Sequence, residues 1–275
     1  MNIIMNTLKH KLLLIILFIL FSLSANSQSF SNPESVTFDK KTNSLFVSNA
    51  KAGSILKVDQ NGITSSFISG YSSFMGVKIY QGVIYSAENI ENGDDFVRGF
   101  SKITGKQVFS ISIPNTVQLN DIEIDNEGNL YVSDRGDNKI YKINLRNKTY
   151  ELINTTIQTP NGLYFNKKYN SLLVCNTIKK SNIYKIDLNT NKTELLVNSN
   201  YPHFDGITAD EKGVIYITSW SLNWRKSILL KYDGEKFHEL LINNFGMADI
   251  EYNCKNNTLE IAKYWDNSVM SYKLN

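Results

Sequence analysis

Short runs of apolar and β-branched residues alternate with turns rich in Gly, Asn and Asp along most of this 275-residue chain. Residues 34–68 contain four such runs, Val36–Phe38, Ser44–Val47, Ile55–Val58 and Ile63–Ile68. Runs of this kind, bounded by turn residues, are typical of β-strands. After residue 27, no stretch of ten or more residues carries the periodicity of an amphipathic helix, so the pattern predicts an all-β fold.

The pattern of strand runs recurs six times, and each copy opens with a similar tripeptide. These are Glu34-Ser35-Val36, Met75-Gly76-Val77, Asn120-Asp121-Ile122, Asn161-Gly162-Leu163, Asp205-Gly206-Ile207 and Ala248-Asp249-Ile250. Their first residues follow one another at steps of 41, 45, 41, 44 and 43 residues. All-strand repeats of this period predict a six-bladed β-propeller with four-stranded blades over residues 28–275.

The sixth repeat is shorter than the others. After Ala248 it supplies only three runs, Ile250–Tyr252, Leu259–Ala262 and Val269–Leu274. Because an unpaired blade would leave an exposed sheet edge, we expect Ser29–Ser31 to add the missing outer strand and close the ring.

The first 27 residues have the features of a secretory signal peptide. Lys9 and Lys11 precede the apolar run Leu12–Phe21, and Ala25-Asn26-Ser27 offers small residues at the usual cleavage spacing. The run is shorter than the roughly 20 residues that a membrane-spanning helix needs, which favours cleavage over anchoring. We therefore expect a periplasmic or secreted mature protein that is not held in a membrane.

Charge and cysteine content narrow the classes of partner. The chain has a formal net charge of +3 and no basic run, which argues against nucleic acid and leaves a small molecule as the expected ligand. Cys175 and Cys254 fall in non-adjacent repeats, so we expect two separate thiols instead of a disulfide. A zinc-type Cys/His cluster is absent from the sequence. We expect a monomer.

The first residue of the repeat tripeptide is an oxygen ligand in four repeats. These residues are Glu34, Asn120, Asn161 and Asp205. Equivalent positions of a propeller converge on its central channel, so the register predicts a metal site there. An all-oxygen set suits Ca²⁺ or Mg²⁺, with Ca²⁺ favoured, whereas each residue taken alone is more typical of a turn. Asp121 and Asp249 come one residue later, so strand alternation predicts that they point away from the axis and bond nearby backbone.

Aromatic residues are concentrated in the loops that follow the second strand of each repeat. The propeller topology places these loops at the same end as the tripeptides. They contain Trp220, Trp224, Arg225, Tyr264 and Trp265, which we expect to form the wall of a ligand pocket. The alternative is ordinary packing of loop aromatics. Arg135 also lies in such a loop, in an Arg-Gly-Asp tripeptide that is interpreted as a turn.

His203 is a second candidate for proton transfer. It precedes Asp205 by two residues and so lies at the same mouth of the channel. An imidazole there could act as a general base, and the alternative is a histidine that bonds within its own loop.

The repeats resemble the senescence marker protein, gluconolactonase and luciferin-regenerating enzyme family of six-bladed propellers. Four motifs carry the resemblance: Pro-Glu-Ser-Val at Glu34, Leu-Asn-Asp-Ile at Asn120, Pro-Asn-Gly-Leu at Asn161 and Phe-Asp-Gly-Ile at Asp205. The resemblance implies that Glu34, Asn161 and Asp205 bind a divalent metal and that Asn120 lines the metal or substrate site. It also implies a metal-dependent lactonase or esterase, with Asp205 both ligand and candidate general base.

The chain departs from the family pattern at three places. Ser35 to Phe38 replace the Pro and Trp that usually follow the early Glu, and Phe204 stands where a Pro precedes the Asp. Gln118 occupies the place of a substrate-holding Arg in sugar lactonases. These differences leave two hypotheses: a metal-dependent hydrolase of a small lactone or ester, or a non-catalytic propeller that binds a protein, peptide or glycan and whose metal is structural.

Overall fold

The computed structural model describes residues 29–275, which form 23 β-strands in six antiparallel sheets. The predicted signal peptide lies outside the described residues. Blade one consists of β1 (Pro33–Asp39), β2 (Ser44–Asn49), β3 (Ser54–Val58) and β4 (Thr64–Ile68). Blade two consists of β5 (Ser73–Tyr80), β6 (Val83–Asn89), β7 (Asp95–Ser101) and β8 (Gln107–Ile113). Blade three consists of β9 (Leu119–Ile124), β10 (Asn129–Asp134), β11 (Lys139–Asn144) and β12 (Thr149–Asn154).

The second half of the chain repeats this arrangement. Blade four consists of β13 (Pro160–Asn166), β14 (Ser171–Asn176), β15 (Asn182–Asp187) and β16 (Thr193–Asn198). Blade five consists of β17 (Phe204–Ala209), β18 (Ile215–Trp220), β19 (Ser227–Tyr232) and β20 (Phe237–Asn243). Blade six consists of β21 (Met247–Asn253), β22 (Thr258–Lys263) and β23 (Ser268–Lys273). Within residues 29–275 no helix has the length and apolarity that a membrane crossing requires.

The six sheets form the predicted propeller. Within each blade the strands pair in chain order, and the first strand of every blade packs against the first strand of the next. The contact between β1 and β21 completes the circle. The first strands, β1, β5, β9, β13, β17 and β21, therefore surround the central channel. The all-β prediction and the number of blades are confirmed.

The ring is closed without the outer strand that we expected from Ser29–Ser31, and that prediction was wrong. These residues belong to no strand, and blade six keeps three strands in the described chain. Asn32 instead links blade one to the loop of blade six. Its backbone N–H donates to Asn267 Oδ1 at 2.7 Å, and its Nδ2 donates to the Tyr264 carbonyl at 3.1 Å.

Apolar side chains fill the spaces between neighbouring blades. Between blades one and two, Phe46 and Ile55 pack against Phe74 and Phe100, and all four are at most 1% exposed. Burial of such large side chains contributes roughly 1.5–3 kcal/mol each to folding. Cys175 is buried between blades four and five, whereas Cys254 is half-buried. The two thiols are free, as predicted.

The tripeptides interrupt each inner strand with a β-bulge. In β1 the pairing passes from Pro33 with Asn49 to Val36 with Val47, and the other five inner strands show a shift at the same register. A bulge removes residues from the ladder and re-aims their side chains. The first tripeptide residue is thereby turned toward the channel mouth in five of the six blades.

The middle tripeptide residue faces the neighbouring blade. In the three repeats that have Gly at this position, an added Cβ would lie 2.4–2.7 Å from a backbone atom of the next blade. Asp121 and Asp249 use this closeness. Asp121 Oδ2 accepts the Leu163 N–H of the next blade at 2.7 Å, and Asp249 Oδ2 accepts the Ser35 hydroxyl at 2.5 Å. Both carboxylates also accept the N–H of their following residue at 2.7 Å.

A lysine stands among carboxylates farther along the channel. Lys78 Nζ lies 2.8 Å from Glu251 Oε2 and 3.4 Å from Glu123 Oε2.

Burial raises the pKa of Asp249 to about 7, although the nearby charge of Lys78 acts in the opposite direction. A carboxyl whose folded pKa lies above its ordinary value stabilises the fold when protonated, and this contribution is lost as pH rises through the folded value.

We expect the ionisation of Asp249 to be visible in the pH dependence of the free energy of unfolding. Its titration should lower the free energy of unfolding by about 1.4 kcal/mol between pH 6 and pH 8. Asp249→Asn should remove that part of the decline, since the amide cannot ionise. Urea unfolding at the two pH values measures it. Asp94→Asn, a change of an exposed carboxylate, should keep the full decline; an unchanged decline in Asp249→Asn would contradict the assignment.

Candidate metal centre and binding cavity

A cavity of about 220 Å³ opens at the channel mouth, where the bulged tripeptides end. Its lining residues are Glu34, Met75, Gln118, Asn120, Arg135, Asp205, Trp220, Trp224, Ala248, Tyr264 and Trp265. The first tripeptide residues of five blades are therefore on its wall. Asn161, from blade four, is buried behind it and donates from Nδ2 to Asp205 Oδ1 at 2.8 Å. The structure thus brings all four predicted oxygen ligands to one place.

Three of these side chains have oxygen atoms that accept no hydrogen bond from residues 29–275. Within residues 29–275, the side chains of Glu34 and Asn120 form no hydrogen bond, although they are only 5% and 3% exposed. The Nδ2 group of Asn161 donates to Thr177 Oγ1, Asp205 Oδ1 and the Phe204 carbonyl, whereas in the described chain its Oδ1 accepts no hydrogen bond. Carboxylate and amide oxygens that accept no hydrogen bond from the protein and meet at one cavity are available to a binding partner there.

The electrostatics of the two carboxylates favour a cation as that partner. Burial raises the pKa of Glu34 well above its ordinary value, and the charges of Asp205 and Asp249 raise it further, against the opposing charge of Arg135. Burial also raises the pKa of Asp205, while Arg135 and hydrogen bonds from Trp220 and Asn161 lower it. A positive ion would stabilise the buried Glu34 carboxylate and the half-buried Asp205 carboxylate, which repel each other.

The donor set fits a hard divalent cation. It consists of two carboxylates and two amide oxygens, the ligands that Ca²⁺ and Mg²⁺ prefer. In the described part of the chain, no group of three or more His, Cys, Asp or Glu side chains could hold an ion alone, so the amides of Asn120 and Asn161 must complete any site. The nearby Cys175 thiol is no competitor. Burial raises its pKa well above the ordinary value, and it donates to the Asp205 carbonyl at 3.1 Å.

Three tryptophans form one side of the cavity. The rings of Trp220 and Trp265 meet edge to face with centroids 6.2 Å apart, and Trp224 lies 5.8 Å from Trp220. Tyr264 packs against Trp265 at 4.8 Å. Trp220 also holds the candidate metal centre in place, because its Nε1 donates to Asp205 Oδ2 at 2.6 Å. This part of the predicted pocket is assembled from blades five and six.

Two other predicted site residues lie outside the cavity wall. Arg225 is exposed and does not line the cavity. His203 is half-buried, and its ring stacks on Trp224 with centroids 4.2 Å apart and an interplanar angle of 12°. Its Nδ1 lies 3.4 Å from the Ser221 carbonyl. The His203 ring thus packs against one face of Trp224 and does not line the cavity.

Arg135 lines the cavity, although the sequence analysis interpreted it only as part of a turn. Its backbone N–H donates to the Gln118 carbonyl at 2.9 Å, so the two residues stand side by side on the wall formed by blade three. The Arg-Gly-Asp tripeptide does form a turn, but that turn carries the guanidinium into the cavity. The position of Arg135 in a loop at the channel mouth was the signal from which its place in the cavity could have been predicted.

Gly246 makes the tryptophan wall possible. It has φ of +67°, and an added Cβ would lie 2.4 Å from atoms of both Trp220 and Trp265. We expect Gly246→Ala to displace the rings and to destabilise the fold by more than the roughly 1 kcal/mol that the backbone conformation alone costs. Thermal unfolding and near-ultraviolet circular dichroism measure the two effects.

Gly213→Ala is the matched control for this prediction. Gly213 has φ of +83° and open space around its Cβ position, so it carries only the backbone cost. Its tryptophan circular dichroism should match wild type. Equal losses of stability and equal spectra in the two variants would contradict the role given to Gly246.

A larger cavity of about 560 Å³ lies at the other end of blades four and five, between the β13–β14 and β17–β18 turns. It contains none of the tripeptide residues, and the lysines at its edge are surface residues of those turns. The carboxylate and amide oxygens that could hold an ion are at the smaller cavity.

Comparison with known proteins agrees with this architecture. The sequence model described as "SMP-30/Gluconolactonase/LRE-like region" matches residues 32–242. No curated protein sequence matches the chain. Among solved structures, a gluconolactonase from Xanthomonas campestris is similar with a TM-score of 0.73 and 12% identity, covering 86% of this chain and 84% of that one.

Two further structures show how varied the users of this fold are. A luciferin-regenerating enzyme is similar with a TM-score of 0.65 and 14% identity, over 88% of this chain and 86% of that one. A chain of a nidogen/laminin complex is similar with a TM-score of 0.65 and 12% identity, over 84% and 93%. At such identities the likeness shows the fold alone.

Proposed function

The chain belongs to the SMP-30/gluconolactonase/LRE-like family, and on that premise we propose that its channel mouth hydrolyses a small lactone or ester with a bound divalent cation, Ca²⁺ in the first place. The observation that supports this most is the meeting of Glu34, Asn120 and Asp205 at one cavity, with Asn161 bonded to Asp205 behind it. Ca²⁺ is favoured over Mg²⁺ because it tolerates irregular oxygen coordination, whereas Mg²⁺ demands near-ideal octahedral geometry.

Each residue of the centre has a separate task in this proposal. Glu34 and Asp205 would hold the cation and balance its charge, and the amide oxygens of Asn120 and Asn161 would complete the set. A bound divalent cation would polarise the scissile carbonyl and lower the pKa of a bound water. The hydrogen bonds from Asn161 and Trp220 fix the orientation of the Asp205 carboxylate.

Asp205 is the proposed general base. In hydrolysis, water adds to the acyl carbon while Asp205 accepts the proton that the water loses. The acyl C–O bond then breaks, and the departing alkoxide oxygen takes the proton. Burial raises the pKa of Asp205 in the ion-free protein, and a bound cation would act in the opposite direction. His203 remains a prediction for this role, with its ring held against Trp224 outside the cavity wall.

A binding propeller is the second candidate, and the exposed rim favours it. Trp265 is 57% exposed and Trp224 is 43% exposed, with Leu222 and Phe245 also exposed nearby in sequence. Exposed aromatic residues are typical of surfaces that bind a peptide, protein or glycan. The cavity is also smaller than the usual 300–1,000 Å³ of ligand pockets. We further propose a monomeric protein acting in the periplasm or outside the cell, on the strength of the predicted signal peptide.

A hydrolysis panel tests the proposal. The purified protein is assayed on γ- and δ-lactones, sugar lactones and aryl esters, first with Ca²⁺ and then with excess EDTA. We expect turnover of at least one class that disappears with EDTA and returns with Ca²⁺. Absence of turnover across the panel, with the ion still bound, would favour the binding propeller.

A further inference from the structure

We infer that Arg135 is a substrate-binding residue and that the substrate carries a carboxylate beside an apolar ring. The inference rests on the proposed function and adds a substrate class to it. It is based on an unpaired guanidinium on one wall of the cavity and an aromatic surface on another.

The Arg135 guanidinium has no protein acceptor. It lines the cavity and is half-buried, yet among residues 29–275 it forms neither a side-chain hydrogen bond nor an ion pair within 4.0 Å. A guanidinium offers five donors, and leaving them unpaired in a partly dehydrated place is unfavourable. Arg98 shows the usual outcome in this fold. Its Nε lies 2.6 Å from Glu88 Oε2, and its Nη1 lies 3.1 Å from Ser110 Oγ.

The backbone around Arg135 is held firmly in place. The Asp134 carboxylate accepts the N–H groups of Val117 and Gln118 at 3.1 and 2.9 Å, and the Arg135 N–H donates to the Gln118 carbonyl. These bonds join the end of β10 to the segment before β9. The loop therefore presents the guanidinium to the cavity from a fixed base, which is the condition for selective binding.

The charge balance of the cavity favours an anion. The carboxylates of Glu34 and Asp205 together balance one divalent cation. Arg135 is the third charged residue among those that line the cavity, and it adds one surplus positive charge there. A planar guanidinium matches a carboxylate with two parallel hydrogen bonds.

The tryptophan wall accounts for the rest of the substrate. Arg135 comes from blade three, whereas Trp220 and Trp224 come from blade five and Trp265 from blade six. In a ring of six, blades three and six face each other across the channel. A flat apolar group placed on the tryptophans would therefore point its polar end toward Arg135. The cavity of about 220 Å³ accommodates a body of about one ring.

Matched esters test the inference. The rates of hydrolysis of 4-acetoxybenzoate and phenyl acetate are compared in the Ca²⁺-loaded protein, because the two differ only by the carboxylate. We expect kcat/KM to be at least about tenfold higher for 4-acetoxybenzoate, the effect of a charge-assisted hydrogen bond. Arg135→Gln should bring the ratio near one, Arg135→Lys should keep part of it, and Arg146→Gln, an exposed control, should keep all of it. A wild-type ratio near one, or an unchanged ratio in Arg135→Gln, would overturn the inference.

A binding measurement separates this inference from the proposed function. Benzoate, with benzyl alcohol as the neutral control, is titrated into the Ca²⁺-loaded protein while tryptophan fluorescence is followed. We expect benzoate to bind at least about tenfold more weakly to Arg135→Gln than to wild type. Such a loss without turnover of any ester would support the Arg135 site and contradict hydrolysis. Turnover without benzoate binding would overturn the Arg135 site and leave hydrolysis standing.

Discussion

Asp205→Asn is expected to lower lactone and ester hydrolysis by at least about a thousandfold, the equivalent of several kcal/mol of transition-state stabilisation. The change removes one of two charges that would hold the cation and removes the proposed general base. The new amide oxygen would still accept from Asn161, whereas the amide nitrogen cannot accept the hydrogen bond from Trp220, so thermal unfolding is measured alongside activity. Steady-state kinetics with saturating Ca²⁺ measure the effect.

The control for this prediction is Asp94→Asn. Asp94 is an exposed carboxylate whose one side-chain partner in the described chain is the Ser112 hydroxyl, at 3.1 Å. It should hydrolyse at the wild-type rate. If Asp205→Asn kept more than a tenth of the activity, Asp205 could not be both ligand and base.

Chelation is expected to lower the melting temperature by about 5–10 °C. At a free Ca²⁺ concentration of about one hundred times Kd, binding stabilises a fold by about 2.7 kcal/mol, and each kcal/mol shifts the melting temperature of a protein of this size by about 2–4 °C. Thermal unfolding with Ca²⁺ and with EDTA at pH 8 measures the shift.

Glu34→Gln should have opposite effects with and without the ion. The folded pKa of Glu34 is raised, so its ionised form destabilises the metal-free fold, and the full penalty is present at high pH. Glu34→Gln removes this penalty, and in EDTA at pH 8 it should melt above wild type. It should also gain little from Ca²⁺, because a ligand charge is missing.

Glu88→Gln is the contrasting control. Glu88 is buried and paired with Arg98 at 2.6 Å, so the change removes a satisfied ion pair. It should melt below wild type in both conditions while keeping the shift on chelation. A wild-type melting temperature that does not respond to EDTA would contradict the bound ion. A Glu34→Gln protein that melts below wild type in EDTA would contradict the repulsion between Glu34 and Asp205.

The six-bladed ring could be predicted from the sequence, and so could the meeting of the four oxygen-bearing first residues of the tripeptides. Both depend on a register that is repeated six times. The sequence did not predict the bulges, since a bulged strand and a regular strand carry the same apolar alternation. For that reason Asp121 and Asp249 were expected to bond locally, whereas they also reach across to neighbouring blades.

The misassigned segments depended on contacts between residues far apart in the chain. Ser29–Ser31 was expected to pair with blade six, but the hydrogen bonds of Asn32 to Asn267 and Tyr264 close the ring at the channel mouth. Arg135 was interpreted through its turn motif, and its entry into the cavity depends on how the loop is tied to Gln118. Side-chain direction in a loop is set by such tertiary contacts, which local sequence does not encode.

Calcium titration of the metal-free protein tests the central claim most directly. Isothermal titration calorimetry of wild type, Asp205→Asn and Glu34→Gln gives the number of ions bound and their affinity. We predict one Ca²⁺ per wild-type chain and at least about a hundredfold weaker binding in both variants, the loss of about 2.7 kcal/mol. Absence of binding to wild type, or equal binding to all three proteins, would contradict a metal centre at the channel mouth.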